Sequence, residues 1–286
     1  MNIKTKVFHM SRYLNPRSDL VFKKIFGQRT DLLISFLNSL LPLPADGQIE
    51  SLEYLSAEQI PTLPVLKRTI VDVKCTDQQN RMFIVEMQME WSSSFMERML
   101  YGASQAYVKQ LHKGEQYKYL KPVYGLGLLV ENFDKKSNEY YHHYKIVNVE
   151  NTSRTIAGLQ FVFIELSKFK PKAFSEKKLQ VLWLRFLSEI NEQTSVVDPE
   201  LLAIPEIREA IELSEEAAYT EKELATYELY WDTVSLEKTL LSEREALGAE
   251  KQKIEIAKNL LVEGLPIDMI IKVTGLSEAE VKALLP

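Results

Sequence analysis

The stretch that most restricts the fold is Arg68 to Glu90, RTIVDVKCTDQQNRMFIVEMQME, two apolar-rich runs around a polar turn. Side chains of a strand alternate between its faces. In the first run Val71, Val73 and Cys75 fall on one face, and Ile70, Asp72 and Lys74 on the other. In the second, Phe83, Val85, Met87 and Met89 share a face, opposite to Ile84, Glu86, Gln88 and Glu90. Each run therefore predicts a strand with one apolar face for packing and one face bearing a carboxylate among β-branched and apolar neighbours.

Directly opposed residues of an antiparallel pair share a face. Pairing Asp72 with Glu86 leaves Asp77 to Arg81 as the loop, and its Asp, Gln and Asn content suits a turn. A slip of one residue would put the two carboxylates on opposite faces. The paired register gathers two hard oxygen donors, the backbone carbonyl of Met87 between Glu86 and Gln88, and the Gln88 amide. Mg²⁺ takes such ligands and keeps several waters, one of which, acidified by the ion, can attack a phosphodiester. Spacing alone equally suits a hairpin with a solvated polar face. An aspartate in mid-strand, where propensity disfavours it, facing a glutamate, tilts the reading toward a metal.

Asp72 followed by Ile84-Val85-Glu86-Met87-Gln88 resembles the core of the PD-(D/E)XK nuclease superfamily. More narrowly, the chain resembles the bacterial recombination-promoting nucleases, also described as PD-(D/E)XK nuclease family transposases. Ser18 to Gly27 (SDLVFKKIFG), the Arg98 to Gly114 helix and the Leu260 to Leu285 tail carry the likeness further. Two departures stand out: Gln88 occupies the place of a lysine found in many members, and no proline precedes Asp72. The resemblance implies an α/β restriction-endonuclease-like core of order αβββαβ, a mixed central sheet flanked by helices, with an all-helical C-terminal extension. It also implies a Mg²⁺-dependent endonuclease, with Mn²⁺ as a substitute, that cuts double-stranded DNA with low sequence specificity in recombination or mobile-element biology. On this reading Asp72, Glu86 and Gln88 are the catalytic positions. Asp72, Glu86 and the Met87 carbonyl hold the metal, with Asp19 on the first helix as a secondary candidate. Gln88 orients water or the scissile phosphate, since an amide is no general base at neutral pH. The competing reading is a catalytically silent DNA-associated or protein-interaction scaffold of the same fold, motivated by Gln88 and a net charge of −5.

That charge is unevenly spread: residues 1–170 carry 22 Lys and Arg against 17 Asp and Glu, and residues 171–286 carry 13 against 23. A mildly basic half suits a DNA-handling domain, although acidic helices are equally read as merely solvated. The predicted division is a nuclease-like domain over 1–170 and a helical region over 171–286, ending in a helix-turn-helix-like segment at 252–286. Lys168-Phe169-Lys170-Pro171-Lys172 marks the boundary.

Within the first part, Ser18 competes with Asn15-Pro16 as the entry of a helix that breaks at Gly27. Asp19 then lies in a first turn, where a carboxylate favours the positive helix end, and that is its favoured role. Ile49 to Ile60, Pro122 to Val130, Tyr140 to Val149 and Leu159 to Leu166 read as further strands. The Gly125-x-Gly127 pair reads as close packing, because no phosphate-loop glycine or helix follows it. His142 and His143 face opposite ways on a strand and cannot chelate one ion together. A helix is predicted from Phe95 to His112, closed by Gly114. Arg98 and Lys109 on its polar side, with Lys74, are the DNA-backbone candidates, Arg98 foremost because a guanidinium grips phosphate at two points.

Beyond the boundary, helices are predicted at Glu176 to Glu189, Leu201 to Leu213 and Glu215 to Glu263. Leu240, Leu247, Ile254 and Leu261 recur every seven residues, but Glu243 and Glu250 between them argue against a persistent coiled coil. The long helix is read as a partly exposed surface for another subunit, a homodimer in the simplest case. In the tail, Ser277 and Glu280 form a capping box. Lys282 alone offers a base contact on the last helix, so packing or self-association is preferred to DNA reading. The single cysteine, Cys75, excludes an internal disulfide or a cysteine-rich zinc site and reads as buried. No apolar run approaches the ~18 residues of a membrane span, and MNIKTKVFHM lacks a secretory apolar core, so the expected location is cytoplasmic.

Overall fold

Ser18 wins the competition for the first helix: its hydroxyl accepts a bond from the Val21 N–H and opens α1 (Asp19–Phe26). The computed structural model describes residues 13–55, 70–89, 94–170 and 178–285, with the backbone alone at 70–72 and at 245. Gly27 ends α1, and α2 (Thr30–Leu40) follows. Both helices bury one apolar side, Val21, Phe22, Ile25 and Phe26 on α1 and Leu32, Leu33, Phe36, Leu37 and Leu40 on α2.

Six strands then build one sheet. They are β1 (Leu52–Tyr54), β2 (Ile70–Asp77), β3 (Met82–Gln88), β4 (Val123–Leu129), β5 (Tyr141–Val147) and β6 (Thr155–Glu165), arranged β1-β2-β3-β4-β6-β5. β2 runs antiparallel to both its neighbours β1 and β3, then β3, β4 and β6 run parallel, and β5 is antiparallel to β6. A parallel pair needs a crossover, and α3 (Phe95–Val108) supplies it between β3 and β4. This is the expected mixed sheet flanked by helices. Every residue of β4 is buried, as befits a central strand covered on both faces. The first strand is shorter than the Ile49 to Ile60 expected, and residues 56–60 of that range lie outside the described part.

The two faces have separate cores. Val73, Cys75, Phe83, Val85 and Met87 join α1, α2 and α4 (Lys178–Glu189) in the larger one. There the Trp183 ring lies 5.5 Å from both Phe26 and Phe36, and its indole N–H donates to Ser35 Oγ at 3.1 Å. Ile84 joins Phe95, Met99 and Ala103 of α3 on the other face, with Val123, Leu129 and Phe163. Cys75 is fully buried as expected, and burial pushes its thiol up to about 12.

Two helix ends differ from expectation. The helix α3 stops at Val108 with Lys109 as its cap, and Gly114 lies in the loop beyond, with φ +94°. The Gln110 amide bonds both backbone groups of Lys121 at 2.7 and 3.0 Å, which turns the chain away from the helix axis. The helix expected over Leu201 to Leu213 is two, α5 (Pro199–Leu202) and α6 (Pro205–Leu213). Pro205 has no N–H to donate and instead opens the second piece.

By its contacts the chain divides into Met1–Trp231 and Asp232–Pro286. The helices α4 and α6 contact α2 within the first unit. A 42-residue helix, α7 (Glu221–Val262), contributes its first turns to that unit and the rest to the second. In the second unit, α8 (Ile267–Thr274) and α9 (Glu278–Lys282) follow, and Ala257, Ile270, Leu276 and Val281 form a small core. Gly275, at φ +69°, ends α8, and the Ser277–Glu280 capping box opens α9. Among the described residues no helix is long and apolar enough to cross a membrane.

Candidate active site

The β2–β3 hairpin closes through a type of turn written in its sequence. Asn80 N–H donates to the Asp77 carbonyl at 2.9 Å, and Asn80 adopts φ 59°. That is a three-residue loop ending in a left-handed residue, a conformation asparagine tolerates well. The Asp77 carboxylate accepts from the Arg81 backbone N–H and from Arg81 Nε, at 2.9 and 2.7 Å. Both side chains are buried, and Arg81 Nη2 also donates to the Gly47 carbonyl at 2.6 Å.

From this anchor the ladder runs Cys75↔Phe83, Val73↔Val85, Asp72↔Glu86 and Ile70↔Gln88. Asp72 and Glu86 are thus directly opposed, in the register expected from the sequence. Asp77 N–H donates to the Arg81 carbonyl, so that pair is hydrogen-bonded. Alternation along an antiparallel ladder then makes Asp72↔Glu86 a non-hydrogen-bonded pair, the kind in which opposed Cα atoms approach to about 4.5 Å. Glu86 is half-buried. At Asp72 the structure describes the backbone only, and Arg68 and Glu90 lie outside the described residues.

Space beside this pair is kept by glycine. Gly127 on β4 stands next to Glu86 and Gly125 next to Ile84. A Cβ on Gly127 would lie 2.6 Å from the Phe163 ring and 3.0 Å from that of Phe95. On Gly125 it would meet Phe161 at 2.7 Å and the Met99 sulfur at 3.1 Å. The two glycines therefore let α3 lie close on the Glu86 face, the close packing read from the sequence.

That closeness brings Arg98, in the first turns of α3, to Gln88. Gln88 is only 6 % exposed, and Arg98 Nη2 donates to its Oε1. The Arg98 guanidinium lies 5.5 Å from the centre of the fully buried Phe95 ring. Lys74 shares the Asp72 face of β2 and borders a small surface pocket with Lys23, Gly27 and Tyr54. Lys109 is exposed at the far end of α3, roughly 16 Å along the axis from Arg98 at 1.5 Å per residue. Asp19 pairs with Lys23 at 2.7 Å, and α1 packs into the core on the Val73 and Cys75 face, opposite to that of Glu86. Backbone register puts Asp72 opposite Glu86, the Arg98–Gln88 bond lies two residues further along β3, and Lys109 stays apart.

A second polar cluster was not anticipated. Glu165, at the end of β6, is fully buried. It accepts from the Phe133 and Asp134 N–H groups at 2.6 and 3.2 Å, and pairs with His142 at 2.9 Å and Lys168 at 2.6 Å. Register puts it in line with Gln88 across β4, about 10 Å away at strand spacing. It pins the loop after β4 at the same end of the sheet. The signal was a glutamate closing the apolar run Phe161 to Ile164, followed by a lysine three residues on. His142 and His143 go to different partners, Glu165 and Gln160, as expected of neighbours on a strand.

Among the described residues no three His, Cys, Asp or Glu side chains cluster to hold a metal. Were Asp72, Glu86 and the Met87 carbonyl to hold an ion, their donors would be hard oxygens only. Such a set fits a magnesium-sized ion, which completes its shell with water. It does not fit zinc, which favours nitrogen and sulfur.

Residues 16–238 match the family described as PD-(D/E)XK nuclease family transposase. Residues 250–286 match the Rpn/YhgA-like nuclease family, C-terminal HTH domain. No curated protein and no solved structure matches the chain.

Proposed function

This chain belongs to the PD-(D/E)XK nuclease family transposases, and from that membership we propose a Mg²⁺-dependent endonuclease that cuts double-stranded DNA with low sequence specificity. The observation that carries the reading is the direct opposition of Asp72 and Glu86. Asp72, Glu86 and the Met87 carbonyl would hold the ion. When bound, the ion supplies Lewis acidity to the phosphate and to the attacking water. Mn²⁺ suits the same oxygens.

Glu86, half-buried on the sheet, would supply a carboxylate oxygen to the ion. Gln88 cannot take a proton from water, so its part is to hold an oxygen in place. Lys74, on the same face, and Lys109, at the end of α3, contact backbone phosphates, which position the duplex without reading its sequence. The net positive charge of residues 1–170 favours that approach. The matched helix-turn-helix tail offers a second DNA contact.

Plasmid incubated with the purified chain and Mg²⁺ tests the proposal, with Asp72→Ala and Glu86→Gln alongside. Cleavage that survives either substitution refutes the site. Gln88 in the lysine place favours one other reading, a silent scaffold of the same fold. Such a scaffold would show neither cleavage nor Glu86-dependent uptake of Mg²⁺ by calorimetry.

A further inference from the structure

Gln88 and Arg98 form a pair whose chemistry is more specific than either residue. An arginine has N–H groups only and accepts nothing. The atom of the Gln88 amide that faces Arg98 Nη2 must therefore be the oxygen, and the end of the amide turned away from Arg98 can only donate. Amide orientation is usually a matter of assignment, but here the partner dictates it. Arg98 is itself placed: its guanidinium lies beside Phe95, and Phe95 packs against Gly127 and Phe163.

We propose that Arg98 is a positioning residue that fixes the Gln88 amide with its N–H₂ toward the scissile phosphate, so that the two together stand in for one lysine. Gln88 supplies the hydrogen-bond donor, and Arg98 supplies the positive charge one residue removed. Gln88 then donates to a phosphate oxygen rather than accepting from the attacking water. This rests on the nuclease reading given above and assigns within it a role to Arg98 other than gripping DNA.

Epistasis tests it, because a lysine at position 88 carries its own donors and charge. A hydrogen bond to a charged group is worth enough that Arg98→Met should lower kcat about twentyfold or more in the parent chain, with KM little changed. In a Gln88→Lys chain the same substitution should lower kcat less than about threefold. Gln88→Glu, equal in length but without a donor, should fall at least as far as Arg98→Met. Equal losses from Arg98→Met in both backgrounds overturn the inference and make Arg98 a direct phosphate contact or a packing residue. A Gln88→Lys chain without activity, or a Gln88→Glu chain as fast as the parent, overturns it too. In each of these cases parent cleavage that vanishes with Glu86→Gln leaves the nuclease reading standing. A parent without Mg²⁺-dependent cleavage overturns both.

Discussion

Arg81 Nε lies 2.7 Å from Asp77 Oδ2, a buried ion pair that closes the hairpin on which Asp72 and Glu86 meet. Removing the cation leaves Asp77 buried without its counter-charge and the Gly47 carbonyl without its donor. Breaking such a pair by deleting one partner destabilises by about 3–5 kcal/mol. Arg81→Met should therefore shift the urea midpoint strongly downward, measured by circular dichroism. A loss below about 1 kcal/mol, the scale of exposed pairs, would show that the pair does not hold the turn.

The opposed carboxylates make a prediction that needs no DNA. Glu86→Gln keeps shape and size but removes a charge from the donor set. Mg²⁺ or Mn²⁺ affinity by calorimetry should fall by more than about a hundredfold, beyond the roughly 10–100-fold that outer-shell changes around a metal produce, with the unfolding midpoint little changed. Unaltered affinity would place the ion elsewhere.

Two glycines should respond in opposite ways to alanine. At Gly127 the new methyl would sit 2.6 Å from Phe163 and 3.0 Å from Phe95, both buried rings. Overpacking of this kind costs about 1–3 kcal/mol, and cleavage should fall with it as α3 is pushed off Gln88. Gly102, inside α3, has nothing within 4 Å of its would-be Cβ. Alanine there should stabilise by about 0.5–1 kcal/mol through helix propensity alone. Equal effects at the two positions would refute the packing role of Gly127.

Acid should loosen the region around Arg185, which reaches Glu189, Asp198 and Glu200 at 2.7–2.9 Å. The Arg185 guanidinium, with the Glu200 backbone N–H, holds the Asp198 carboxyl below its ordinary value of 3.8. A depressed carboxyl contributes stability above its unfolded value, and that contribution is lost as pH falls through the lower folded value. Arg185→Met should accordingly flatten the decline of stability below about pH 4 while changing little in its slope between pH 6 and 8. Denaturation midpoints at pH 6 and pH 3 decide it, and an unchanged acid slope would refute the link.

What the sequence made legible follows from range. The Asp72–Glu86 register depends on alternation and on one short polar loop, both local, and the structure has it as expected. Gly125 and Gly127 were readable as close packing from the missing phosphate-loop context. Pro205 was visible too, yet the apolar spacing around it suggested one helix where the missing N–H enforces two. The meeting of Arg98 with Gln88 was not legible, because it is made by the crossover that folds α3 back over the sheet. Nor was the Glu165 cluster, whose partners come from the loop after β4, from β5 and from the turn after β6.

If Gln88 and Arg98 together do the work of a lysine, their bond also bears on how the site meets alkali. A buried lysine at that place would shed its proton somewhere below its usual value of about 10.4, and activity would decay along with it. An amide has no proton to lose in water. On the reading proposed above, the donor at position 88 does not titrate where a lysine would.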